Sequence, residues 1–334
     1  MIDRHNPEDS DASDMLDVET PKLVDDGEDS CERPELSVRY PHLRPKAACF
    51  VDAPAEERLA YIKQDRRIGY PAADAIIDEI TDRINFAKRG MNANLLLMGP
   101  PRNGKTTIIK RLNAENPPAM TPSGQLQIPV VRFDMPEYAR ERDFWLSMLH
   151  AMRSTESAKS NATVLRETAY RQLARIDCKL VVIDEFHNIQ TASPRNYPGM
   201  LALVKNLTNR LNAPLVCAGI EDSISTLAHD DQLAGRFDVM ELPRWKLDAT
   251  LFDFLAALES TLPFPEPSNL SDPVLARAIY AKSNDGILMR IVDRVQRAAV
   301  IAVRRNSPRI TLKCLEAVDV RSLHEARPIP RPNA

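Results

Sequence analysis

One run of residues in this chain has the composition and spacing of an anion cradle. Gly99-Pro100-Pro101-Arg102-Asn103-Gly104-Lys105-Thr106 fits GxxxxGK(S/T) without a mismatch, and Thr107 follows. Glycines at the two fixed positions let the backbone curl until its N–H groups point inward at phosphate oxygens. A helix starting at Lys105 would add the positive end of its dipole to the same anion. In that arrangement Lys105 reaches the β- and γ-phosphates of a nucleotide, and the Thr106 hydroxyl is a ligand for Mg²⁺.

A second run supplies what the first lacks. Leu180-Val181-Val182-Ile183-Asp184-Glu185 is an apolar stretch ending in two acids, about eighty residues after the loop. Two carboxylates at the end of a buried strand are costly without a cation. Asp184 is placed to hold Mg²⁺. Glu185 is placed to polarise an attacking water, which favours hydrolysis over simple switching. The Asn-Lys-x-Asp run expected of a GTPase does not occur.

These residues need a scaffold, and the hydrophobic pattern describes one. Asn94 to Met98 reads as a buried strand leading into the loop, and Gly104 to Asn113 as the helix leading out. Strands at Ile128–Phe133, Leu180–Ile183, Leu215–Ala218 and Val239–Leu242 alternate with helices at Ala72–Ala87, Asp143–Met152, Asn161–Ile176 and Gly199–Leu211. Strands separated by helices imply an α/β fold with a parallel sheet covered on both faces. From Ala249 onward only helices are expected: Ala249–Ser260, Asp272–Ser283, Gly286–Arg304 and Leu312–Leu323.

Gly99–Thr106, Asp184-Glu185-Phe186-His187-Asn188-Ile189 and Gln232–Trp245 together resemble AAA+ ATPases of the TniB/TnsC transposition-regulator type. Arg67-Ile68-Gly69-Tyr70-Pro71 is similar to that family's segment ahead of the loop, and the resemblance covers roughly residues 55–305. It implies an AAA+ P-loop core at 71–246 and a small helical lid domain at 247–326. A segment at 39–70 would lead into the nucleotide site. It also implies ATP and Mg²⁺ as cofactors. Arg236 would be an arginine finger that enters a neighbouring subunit's site. Arg290 would be the lid's sensor arginine, or else an Arg on a polar helix face. Tyr70 would lie against adenine, or else pack in the core. His187 could report the γ-phosphate state, or serve structurally. One position departs from the pattern: Ile220 stands where the family usually has a polar residue that helps align water.

Proteins of this type assemble as rings or filaments on duplex DNA and recruit a transposase and target-selection proteins. Basic side chains would then line a channel, with Arg132, Arg140, Arg142 and Lys110 as candidates for phosphate contacts. Each could equally belong to a solvated face. An AAA+ ATPase that remodels or switches a protein partner keeps every nucleotide-site residue and drops the DNA. An ATP-gated scaffold with negligible turnover is also compatible with Ile220.

Bulk properties restrict the setting. Residues 1–35 hold 13 acidic and 3 basic side chains, a net of −10, and the whole chain is −3, so residues 36–334 carry +7. A mildly basic body could approach a polyanion. Residues 1–38 are too polar to offset the entropy of ordering, so an acidic tail without fixed structure is expected there. A Pro-rich, loose end is expected at 327–334. No stretch approaches the roughly 18 apolar residues that span a bilayer, and the acidic start is unlike a secretory signal. Five scattered cysteines without CxxC spacing suggest a reducing, cytoplasmic setting.

Overall fold

The computed structural model describes residues 34–64, 66–86, 94–154 and 160–318. Residues 1–33 of the tail expected at 1–38, and the loose end expected at 327–334, lie outside these residues. So does the expected continuation of the last helix to Leu323. The first described residues depart from the expected tail, because Pro34–Arg39 is helical.

Seven strands are described: β1 Asn94–Met98, β2 Ala119–Met120, β3 Leu126–Gln127, β4 Val130–Asp134, β5 Leu180–Asp184, β6 Leu215–Gly219 and β7 Phe237–Glu241. The helices ahead of the phosphate loop are α1 Pro34–Arg39, α2 Pro45–Ala48, α3 Ala55–Ile62 and α4 Pro71–Phe86. Those interleaved with the strands are α5 Lys105–Glu115, α6 Glu141–Ala151, α7 Ala162–Arg175, α8 Tyr197–Arg210, α9 Asp222–Ala228 and α10 Asp231–Ala234. The C-terminal group is α11 Ala249–Glu259, α12 Pro273–Tyr280, α13 Leu288–Arg304 and α14 Leu312–Glu316.

The main sheet has the order β4-β5-β6-β1-β7, and every neighbouring pair in it is parallel. Alternate residues along each strand belong to two separate apolar clusters. Leu95, Leu97, Val130, Leu180, Val182, Val216 and Ala218 face one way, with α4, α5 and the C-terminal helices. Leu96, Val131, Phe133, Val181, Ile183, Leu215 and Cys217 face the other way, with α6, α7 and α8. A strand buried on both faces needs apolar residues at every position, which is why these runs show no alternation in sequence.

Side-chain caps fix several helix starts. Asn161 Oδ1 accepts from Val164 N at 2.9 Å, Asp248 Oδ1 from Leu251 N at 3.2 Å and Asp272 Oδ1 from Val274 N at 2.9 Å. Each satisfies one of the N–H groups that a helix start leaves without a partner. The antiparallel β2–β3 pair and the two short helices α9 and α10 were not expected from the sequence.

The segment before the core docks on the C-terminal helices. Arg44 N donates to Ser260 O at 2.8 Å and Arg58 Nη2 to Pro263 O at 2.8 Å, while α3 packs against α13. The described part of the 39–70 segment thus braces the C-terminal helices. Among the described residues, no helix is long and apolar enough to cross a membrane. Among the described residues, Cys178, Cys217 and Cys314 are free thiols and Cys49 is disulfide-bonded.

Candidate nucleotide-binding site

Parallel register brings the chemistry to one edge of the sheet. Met98 pairs with Gly219, Ile183 with Cys217, and Asp184 with Asp134, so β1, β6, β5 and β4 all end at the same side. Carboxyl ends of strands in open α/β sheets are where ligands bind.

The loop from Gly99 to Thr106 joins β1 to α5 at that edge. Gly104 caps α5 in the left-handed region, at φ 104°. A Cβ there would lie 3.2 Å from Leu288 Cδ2 and 3.3 Å from the Tyr70 hydroxyl. Gly99 is equally constrained, since its Cβ would meet Leu242 O at 2.7 Å. The two glycines of the motif are therefore required by backbone and by space.

Lys105 is buried, and its Nζ donates to Gly99 O at 2.7 Å and Pro100 O at 2.9 Å. Burial lowers its pKa, opposed by the charges of Glu185 and Asp184. The Thr106 hydroxyl donates to Asp184 Oδ2 at 3.1 Å. Asp184 is 2% exposed, and its Oδ1 accepts from the Glu185 N–H at 2.9 Å. The two expected Mg²⁺ ligands are thus in contact. One carboxylate and one hydroxyl suit an ion that keeps several waters and takes the rest of its ligands from phosphate.

Glu185 follows in the left-handed region, at φ 51°, and opens the 3-10 turn Phe186–Thr191. A non-glycine residue held there is strained, which is common at functional sites. Its half-exposed carboxylate lies 3.4 Å from His187 Nδ1. Beside this turn, the fully buried Ser223 hydroxyl packs against Gly219 with no hydrogen-bond partner, three residues past the apolar Ile220.

Several loop residues do something other than face phosphate. Asn103 is 1% exposed, and its Nδ2 donates to Leu242 O at 3.1 Å and Pro243 O at 2.7 Å. Its Oδ1 accepts from Leu288 N at 3.1 Å, and Arg102 O accepts from Met289 N at 3.2 Å. The loop is therefore bonded to the first turn of α13, which also carries Arg290. Pro101, Arg102 and Thr107 are exposed. Tyr70 is 7% exposed and packs on Trp245, with ring centroids 4.9 Å apart, and on Phe254. Burial, then the charge of Asp74, raises its pKa, and its hydroxyl has no hydrogen-bond partner.

A family model described as "Bacterial TniB protein" matches residues 58–247. This chain belongs to the TniB family. Among solved structures it is similar to the Aeropyrum pernix ORC2 protein in its ADPNP-ADP complexes, at 13% identity and a TM-score of 0.55, covering 76% of this chain and 69% of that one. It is similar to the Aeropyrum pernix ORC1 protein in complex with DNA, at 16% identity and a TM-score of 0.51, covering 80% and 67%. It is also similar to Drosophila ORC bound to DNA, at 16% identity and a TM-score of 0.51, covering 88% and 67%. At these identities the likeness establishes the AAA+ fold. No match is found among curated proteins.

The remaining candidates fall at other places in this TniB chain. Arg236 immediately precedes β7 and lies at the opposite edge of the sheet from the phosphate loop. Asn94, the first residue of β1, donates through Nδ2 to Arg236 O at 3.1 Å and pairs in register with Phe237. Five residues of strand, about 17 Å at the usual rise, separate Arg236 from the loop of its own subunit. The guanidinium instead donates to the Thr208 hydroxyl at 3.0 Å and to Asn209 Oδ1, at the end of α8.

The proposed DNA-contacting cations lie on three different elements, β4, α5 and the start of α6. Arg132 lies inside the nucleotide site, where its Nη2 donates to Asp184 Oδ2 at 2.9 Å. Lys110 is exposed on α5, over one face of the sheet, while Arg140 and Arg142 begin α6 over the other. Arg142 Nε donates to Ser160 O at 3.2 Å. Arg140 is exposed and lines a cleft of about 220 Å³ with Tyr138, Thr191, Ser193 and Asn196. Arg132 had a legible signal: it alternates with Val131 and Phe133, which places it on the face that carries Asp134 and, in register, Asp184.

Proposed function

We propose that this chain is an ATP-hydrolysing regulator of DNA transposition. It assembles as a ring or filament on duplex DNA in the cytoplasm and recruits a transposase and target-selection proteins. The observation that carries the reading is the placement of the phosphate loop and Arg236 at opposite edges of one sheet. A subunit built this way offers half a site at each edge, and stacking subunits completes them.

Within the site, Lys105 exchanges its loop carbonyls for phosphate oxygens. Thr106 and Asp184 would hold Mg²⁺, and the ion would supply positive charge against the phosphoryl group being transferred. Glu185 orients and polarises water, and Arg236 of a neighbour answers the remaining charge. The contacts from Arg102 and Asn103 to α13 couple the loop to the lid and to Arg290. Duplex DNA enters the proposal through the family and through the DNA-bound ORC relatives.

The separation of Lys110 from Arg140 and Arg142 favours a second reading, in which the partner is a protein and DNA is dispensable. Electron microscopy and gel-shift titration with a non-hydrolysable ATP analogue separate the two. Nucleotide-dependent rings or filaments threaded by duplex are expected. Assembly indifferent to DNA, with turnover stimulated by a protein, would establish the second reading.

A further inference from the structure

The cation already lodged in the site is Arg132, and the nucleotide-site motifs leave it without a role. It projects from β4 on the face that carries Asp134 and pairs in register with Val182, two residues before Asp184. Its Nη2 donates to Asp184 Oδ2 at 2.9 Å and to Asp134 Oδ1 at 3.2 Å. Asp184 Oδ2 is also the atom that accepts from the Thr106 hydroxyl. A single oxygen therefore serves the hydroxyl, the guanidinium and the divalent ion that this pair of side chains is suited to hold.

The electrostatics give this arrangement a consequence. A carboxylate 2% exposed is costly unless a cation accompanies it. Arg132 meets that need permanently, because guanidinium does not lose its proton. Its charge also repels a second cation brought to the same oxygen. Two features let the guanidinium give way. Asp134 is 64% exposed and offers a second resting place. Arg132 Nε is buried with no hydrogen-bond partner, so an incoming oxyanion would supply its missing acceptor.

We propose that Arg132 is a tethered counter-ion that stands in for the divalent cation at Asp184, so that nucleotide binds nearly as well without Mg²⁺ as with it. Loading of the ion then requires Arg132 to shift toward Asp134. This inference rests on the nucleotide-site reading above. Arg132 acts through Asp184 and is a positioning residue.

The test is equilibrium binding of a fluorescent, non-hydrolysable ATP analogue to the full chain, in excess MgCl₂ and in EDTA. Wild type is expected to show dissociation constants within about threefold of each other. Arg132→Gln should weaken binding in EDTA by about tenfold or more while changing it less in MgCl₂. Arg132→Lys keeps the charge and should stay near wild type. Equal weakening in both buffers would mark a merely structural role and overturn the proposal, as would no change in either. Asp134→Asn is a second, exposed probe that removes the alternative resting place. It should raise the Mg²⁺ concentration needed for half-maximal ATP turnover several-fold, and an unchanged requirement would count against the shift. Wild type that binds no nucleotide in either buffer would instead remove the nucleotide-site reading itself.

Discussion

At the scale of single residues, Glu185 and Asp184 are adjacent in sequence yet sit in different environments. Asp184 is buried and holds Thr106 Oγ1 and Arg132. Glu185 is turned outward by its left-handed backbone and keeps a half-exposed carboxylate. These environments suit the roles proposed for them, a cation ligand and a base that meets water. Glu185→Gln should therefore lower ATP turnover by about 10²–10⁴-fold, the range for a lost general base, while leaving nucleotide affinity nearly unchanged. Single-turnover kinetics beside equilibrium binding would show this, and unchanged turnover would favour the scaffold reading that Ile220 allows. Two thiols make a separate prediction. Burial pushes Cys178 from 9.0 up to about 12 and pushes Cys217 up as well. An acid with a raised folded-state pKa keeps its proton after the unfolded chain has lost it. Stability is thus level below about pH 9 and falls as pH rises toward the folded value, by about 1.4 kcal/mol per pH unit for each thiol. Urea melts at several alkaline pH values should show a slope that is smaller by that amount in Cys217→Ala.

At the scale of elements, the phosphate loop is a joint between three pieces of structure. Asn103 ties it to the exit of β7 through Leu242 O and Pro243 O, and to α13 through Leu288 N. Asn103→Ala would leave these backbone groups without that partner, a cost of about 2–4 kcal/mol when such groups are buried. Denaturant melting of a Trp145→Phe background would report it, because Trp245, the remaining tryptophan, packs beside Tyr70 at the base of the lid. A loss well under 1 kcal/mol would mean that the joint carries no strain between core and lid. Asn103 also shows where sequence reading stopped. Strand and helix positions were legible, because buried parallel strands are continuous apolar runs and capped helices start at Asn161 and Asp272. The loop itself was legible from its glycines. The direction of the Asn103 side chain was not, since a local pattern says nothing about Leu242 or Leu288, far along the chain. Arg132 is a partial case: its alternation with Val131 and Phe133 gives the face it projects from, while its pairing with Asp184 depends on the strand order. The β2–β3 pair escaped notice because its two-residue strands hold no hydrophobic period.

At the scale of the whole molecule, the proposed function makes the sheet a spacer between two half-sites. Its C-terminal edge carries Lys105, Thr106, Asp184 and Glu185, and its opposite edge carries Arg236. Thr208 and Asn209 hold the Arg236 side chain at the end of α8, so the proposed finger would be presented on a fixed element. The phosphate-loop edge was placed by motifs in one stretch of chain, whereas the distance to Arg236 needed the strand order. That geometry allows a test that no single mutant provides. Arg236→Ala subunits keep a complete phosphate site and lack a finger, while Glu185→Gln subunits keep the finger and lack the base. Each variant alone should bind ATP and turn over about 10²-fold or more below wild type. Mixed in equal amounts, they should recover about a quarter of wild-type turnover, because random assembly pairs an intact site with an intact finger at one interface in four. Recovery should rise with protein concentration, since the productive contact lies between subunits. If the mixture stays as inactive as its parts, although light scattering shows that both variants co-assemble, then Arg236 serves its own fold and the half-site arrangement fails.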